Sequence, residues 1–83
     1  MMKPTFEQIT DTVFSIYDSL KVEKELSEDL LHTDIEETLQ NIGIYPSIEF
    51  VEKITKKFVC AWQGGYTPNS IVADIMWELD AND

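Results

Sequence analysis

The sequence predicts an all-α fold, a compact bundle of four short helices over about residues 5–20, 27–42, 47–62 and 67–79. Three observations carry that expectation. Apolar residues recur at spacings of three and four along four successive stretches, and a Ser or Thr suited to cap a helix precedes each one. No run of alternating β-branched residues between turn signals marks a strand. With 83 residues and no internal repeat, linker or low-complexity tract, the chain reads as a single domain, 1–83.

The first stripe is Phe6, Ile9, Val13, Ile16, Tyr17 and Leu20, one side of an amphipathic helix. Thr5 followed three residues later by Gln8 spells a capping box, in which each side chain satisfies a free backbone N–H at the helix start. Ser27 caps the second helix, with Leu26 and Leu31 placed as a hydrophobic staple and Leu31, Ile35, Leu39 and Ile42 inward. Thr33-Asp34-Ile35-Glu36 spells a second start, so a break near Thr33 is the alternative. Gly43 ends this helix in the left-handed conformation, which brings Ile44 back against Leu39 as in a Schellman motif.

Pro46 cannot continue a helix, and Ser47 after it caps the third. Here Ile48, Val51, Ile54, Phe58, Val59 and Trp62 share a face, and Phe50 and Cys60 widen it. The breadth of this apolar arc predicts a central position for the helix. Gln63-Gly64-Gly65 stops it. Thr67 before Pro68 then places a capping side chain ahead of a proline at the first helical position, where its missing N–H does no harm. Ile71, Val72, Ile75, Met76 and Leu79 form the last buried stripe, with Trp77 to its side.

Six lysines and no arginine stand against sixteen carboxylates, a formal net charge of -10. That balance opposes direct nucleic-acid binding and adsorption to anionic membranes, both of which need basic residues. No apolar run approaches the length of about 20 residues that a membrane span requires. The start, Met1-Met2-Lys3-Pro4-Thr5, lacks the apolar stretch of a signal peptide, so a cytoplasmic location is expected. The one cysteine, Cys60, lies in the apolar run Phe58 to Trp62 and reads as a buried free thiol, suited to a reducing compartment.

Constellations for chemistry are missing. His32, the one histidine, is far in sequence from Cys60 and has no partner for nucleophilic catalysis. Asp29, His32 and Glu36 share a helical flank, but no second histidine completes a carboxylate metal set, and a solvated acidic face is the simpler reading. Asp80-Ala81-Asn82-Asp83 resembles the opening of a calcium loop without its glycine and distal glutamate. Gly64-Gly65 precedes Tyr66-Thr67 rather than the lysine of a phosphate loop. The expectation is a protein that is not an enzyme, with no catalytic, cofactor-binding or metal-binding residues.

Two local resemblances stand beside this. Leu39, Ile42-Gly43-Ile44, Ser47-Ile48 and Phe50-Val51-Glu52 resemble the segment around the phosphopantetheine serine of acyl carrier proteins, which implies Ser47 as an attachment site. The likeness covers about fifteen residues and departs from the family at Pro46, where the family has Asp, in an extra residue needed to align its flanks, and at Lys53, Lys56 and Lys57 beyond it, where the family is acidic. Gly65-Tyr66-Thr67-Pro68 leading into Ile71-Val72-Ala73 resembles the opening of a helix-turn-helix, but no residues follow to build its recognition helix.

Charge is the remaining signal. From Asp18 to Glu37 there are eight carboxylates against Lys21 and Lys24, a local net of -6 and more than half of the whole excess. Such a run keeps a small protein soluble; it also suits docking to a basic surface, since carboxylates on one helical face lie about 5–6 Å apart and imitate the charge density of a nucleic-acid strand. The functional expectation is therefore a noncatalytic protein-binding module, an inhibitor or regulator of bacterial or phage accessory character. It would present Glu28, Asp29, Asp34, Glu36 and Glu37 to a partner with a basic, nucleic-acid-handling surface. Tyr66 in the last turn and Trp77 off its stripe are candidates for a second contact surface, while Trp62 reads as core. The alternatives are an acyl-carrier-like protein using Ser47, or a structural homo-oligomer, at its simplest a homodimer, that buries the aromatic residues.

Overall fold

A computed structural model describes residues 4–81 as four helices: α1 (Phe6–Lys21), α2 (Glu28–Asn41), α3 (Ile48–Trp62) and α4 (Pro68–Ala81). Each begins where its cap predicts. The Thr5 hydroxyl accepts from the Gln8 N–H at 3.1 Å while the Gln8 side chain accepts from the Thr5 N–H at 2.8 Å. Ser27 and Ser47 accept from Leu30 N–H at 3.4 Å and Phe50 N–H at 3.2 Å, and Thr67 accepts from Ser70 N–H at 3.2 Å. α2 runs unbroken through Thr33, whose hydroxyl turns back to the Asp29 carbonyl.

Two helices end in the same way. Gly43 has φ +88°, Ile44 N–H bonds the Leu39 carbonyl at 2.9 Å, and Gly43 N–H bonds the Gln40 carbonyl at 3.0 Å, which completes the Schellman pair. Gly64 repeats the arrangement at φ +89°, with Gly65 N–H on the Cys60 carbonyl at 2.8 Å. A Cβ added at Gly43 or Gly64 meets nothing within 4 Å, so the cost of substitution there is purely conformational. Gly43→Ala is expected to lose about 1 kcal/mol of stability, whereas Gly65→Ala, whose φ is not positive and whose Cβ meets only the Cys60 carbonyl at 3.7 Å, changes it little. Urea unfolding of the two variants side by side measures the difference; equal midpoints would contradict it.

The core takes residues from every helix: Ile9, Val13 and Ile16 of α1, Leu31, Ile35 and Leu39 of α2, Val51, Ile54 and Phe58 of α3, and Ile71, Val72 and Ile75 of α4. The α1–α2 loop meets the end of α3, where the Trp62 indole N–H donates to the Glu23 carbonyl at 3.2 Å. The α2–α3 turn meets the end of α4, where Ile44, Phe50 and Leu79 line one groove. Chain direction therefore alternates up-down-up-down. α1 and α3 each pack on the other three helices, α1 most extensively on α4 and α3 on α2. α2 and α4 are not neighbours: no Cα of one comes within 8 Å of a Cα of the other. Among the described residues there is no strand, and no helix is long and apolar enough to cross a membrane.

Three positions depart from their sequence patterns. Phe6 and Ile48, the expected first members of their stripes, are exposed because each opens its helix at the edge of the bundle. Cys60 is exposed rather than buried. Val51, Ile54, Phe58 and Ala61 take the core face of α3, and a residue two beyond Phe58 points about 200° away from it.

Candidate functional site

The acidic residues of α2 divide around the helix instead of sharing one face. Leu31, Ile35 and Leu39 set the inward line. Glu28, Asp29 and His32 lie on the flank toward α3, where they border a shallow cleft with Glu52, Thr55 and Lys56. Asp34 lies on the opposite flank, toward α1. Glu37 points outward from both, and Glu36 is half-buried on the α3 side. Four of the five expected contact residues, Glu28, Asp29, Asp34 and Glu37, are exposed. Among the described residues none of the five forms an ion pair. Glu28 and Asp29, in the first turn of α2, also complement the positive end of the helix dipole.

Beside this surface a groove of about 220 Å³ opens between the end of α1 and the start of α2. Ile16, Leu20, Leu26, Leu30 and Leu31 line it together with Ser19 and Ser27, and its rim carries Glu23, Glu25 and Asp34. Leu30 is 74% exposed. The sequence held a sign of this: in the pair Leu30-Leu31 only one leucine can join the inward line of Ile35 and Leu39, which leaves the other outside. The nearby Lys21 is engaged elsewhere, 3.7 Å from Asp18 and 4.7 Å from the centre of the Tyr17 ring.

Tyr66 and Trp77 belong to other parts of the molecule. Trp77 is 67% exposed on the outer side of α4, a helix that does not pack beside α2. Tyr66 is half-buried in the α3–α4 turn, and its hydroxyl donates to Asp74 Oδ2 at 2.5 Å. Lys57 Nζ meets the same oxygen at 2.6 Å and lies 5.7 Å from the centre of the Tyr66 ring. This cluster joins α3, the turn and α4, and it gives Tyr66 a structural task that the sequence did not signal. The Trp62 indole does likewise, tying the loop that carries Glu23 and Glu25 to the end of α3.

Partial burial by itself would raise the Asp74 pKa, but the hydrogen bonds from Lys57 and Tyr66 outweigh it and hold the carboxyl below its ordinary value. Burial would likewise lower that of Lys57, yet its bond to Asp74 leaves the ammonium above its ordinary value. The hydrogen bond to Asp74, with burial, pushes the Tyr66 phenol up. The carboxylate thus contributes stability that is present above the ordinary Asp range and lost as pH falls through the lowered value. The lysine and tyrosine contributions are present below their ordinary values and lost as pH rises through the raised ones. Asp74→Asn is expected to cost about 1–2 kcal/mol at neutral pH and nothing in strong acid, where the native carboxyl is itself neutral. Urea unfolding of both proteins across the acid range tests this; a difference that persists unchanged into strong acid would contradict it.

Ser47 acts as the cap of α3 and stands at the edge of an open groove of about 350 Å³ bordered by Tyr45, Phe50 and Leu79. Among the described residues no group of three or more His, Cys, Asp or Glu side chains could hold a metal ion. Asn82 and Asp83 of the calcium-loop likeness, and residues 1–3 of the segment read for a leader, lie outside the described residues. No protein-family model, curated protein or solved structure matches the chain.

Proposed function

We propose that this protein is a noncatalytic binding module of the cytoplasm that inhibits or regulates a protein with a basic surface, using the carboxylates of the α1–α2 loop and α2. The observation that supports this reading most is the lack of internal compensation: Glu23, Glu25, Glu28, Asp29, Asp34, Glu36 and Glu37 follow one another along the α1–α2 loop and around α2 without an ion pair among the described residues. Uncompensated like charge repels itself and is relieved by a cationic partner. Nucleic-acid-handling proteins carry such cationic surfaces.

The test is an affinity capture from bacterial lysate with the wild-type protein and with the triple variant Asp34→Lys, Glu36→Lys, Glu37→Lys, washed at low and at raised salt. A basic protein held by the wild type, released by salt and not held by the variant is the expected result. The same set of proteins on both baits would overturn the reading. So would a covalent mass gain at Ser47 after incubation with a phosphopantetheinyl transferase and coenzyme A, which would place the chain among carriers.

A further inference from the structure

We propose that the groove between α1 and α2 receives one large apolar side chain from a basic segment of the partner, so that recognition joins an apolar anchor to flanking lysines or arginines. The inference rests on the docking reading above and specifies its chemistry.

Four features of the groove point to this occupant. Five aliphatic side chains line the groove together with Ser19 and Ser27, and Leu30 stays 74% exposed although its neighbour Leu31 is buried. A solvent-facing leucine beside a preformed apolar hollow gains when another apolar group covers both. The volume, about 220 Å³, falls below the roughly 300–1,000 Å³ of small-molecule sites and suits a single side chain. The rim carboxylates Glu23, Glu25 and Asp34 come from two separate elements and have no ion-pair partner among the described residues, so the residues that flank the anchor should be cationic. Finally, the loop half of the rim is held in place, because the Trp62 indole bonds the Glu23 carbonyl. A site ordered in advance loses less freedom on binding.

Two synthetic peptides serve as probes, one with a phenylalanine between two Lys-Lys pairs and a twin with serine in its place. Both are titrated into the isotope-labelled full chain at low salt while backbone amide shifts are followed. The expected result is that the phenylalanine peptide binds at least about tenfold more tightly, shifts the amides of Leu26, Leu30 and Leu31, and loses its advantage against the Leu30→Ser variant. Residue 30 is exposed, so that variant keeps the core intact. Equal affinity of the two peptides, both perturbing α2, would overturn the groove while leaving the acidic docking reading standing. Failure of both to bind would overturn the two together. Shifts centred on Tyr45, Ile48 or Trp77 would move the apolar contact to the other exposed residues and end this proposal. A mass in solution that rises with concentration and falls to the monomer in Leu30→Ser would identify a second copy, presenting Lys53 and Lys56, as the occupant instead.

Discussion

Phe58→Ala is expected to remove about 3–5 kcal/mol of stability, the largest effect of any single truncation in this chain. Phe58 is 1% exposed and heads the fully buried side chains by volume. It sits on α3, one of the two helices that touch all the others, so the cavity it leaves opens onto the middle of the bundle. At about 0.05–0.15 kcal/mol per residue, a domain of 83 residues holds roughly 4–12 kcal/mol in total, and small domains lie toward the low end. The variant should therefore lose a large share of its stability. Thermal unfolding followed by circular dichroism should show a fall of about 12 °C or more, since each kcal/mol is worth roughly 4–8 °C at this size. The exposed Trp77 is the control: Trp77→Ala should stay within about 0.5 kcal/mol of the wild type. A fall of only a few degrees for Phe58→Ala would mean that the bundle is not packed around α3 as described.

The second large effect is kinetic. Changing Asp34, Glu36 and Glu37 to lysine raises the charge of the Asp18 to Glu37 stretch by six, from -6 to zero. Glu28 and Asp29 are left alone because they stabilise the start of α2, and their reversal would mix folding with binding. Against the partner that the wild type captures, association at low ionic strength should slow by about tenfold or more, and its dependence on salt should flatten, while dissociation changes less. Stopped-flow association across a salt series measures both quantities. An unchanged rate constant would show that these carboxylates serve solubility alone.

Much of the fold was legible because its punctuation is chemical and local. Thr5, Ser27, Ser47 and Thr67 each mark a helix start, and Gly43 and Gly64 each supply the one left-handed residue that a helix end needed. Where neighbours rather than local pattern decide, the sequence says less. Phe6 and Ile48 fit their stripes and are nonetheless exposed, because a stripe records the direction of a side chain and not whether another helix extends far enough to cover it. Cys60 shows the converse, an apolar run too continuous to reveal which member turns outward. The acidic residues were legible as a concentration of charge, but their division between two flanks of α2 depends on where α1 and α3 pack. The union of Lys57, Tyr66 and Asp74 depends on how α3 and α4 fold back on each other, and spacing alone does not announce it.

The broad seam between α1 and α4 has a consequence for how the protein is made. It joins α1 to a helix that is synthesised only after α2 and α3, so Ile9, Val13 and Ile16 remain without their final cover until Ile71, Val72 and Ile75 have been made. A chain stopped short of α4 would display that uncovered stripe and invite aggregation or proteolysis. Completion of the core thus waits for the synthesis of α4.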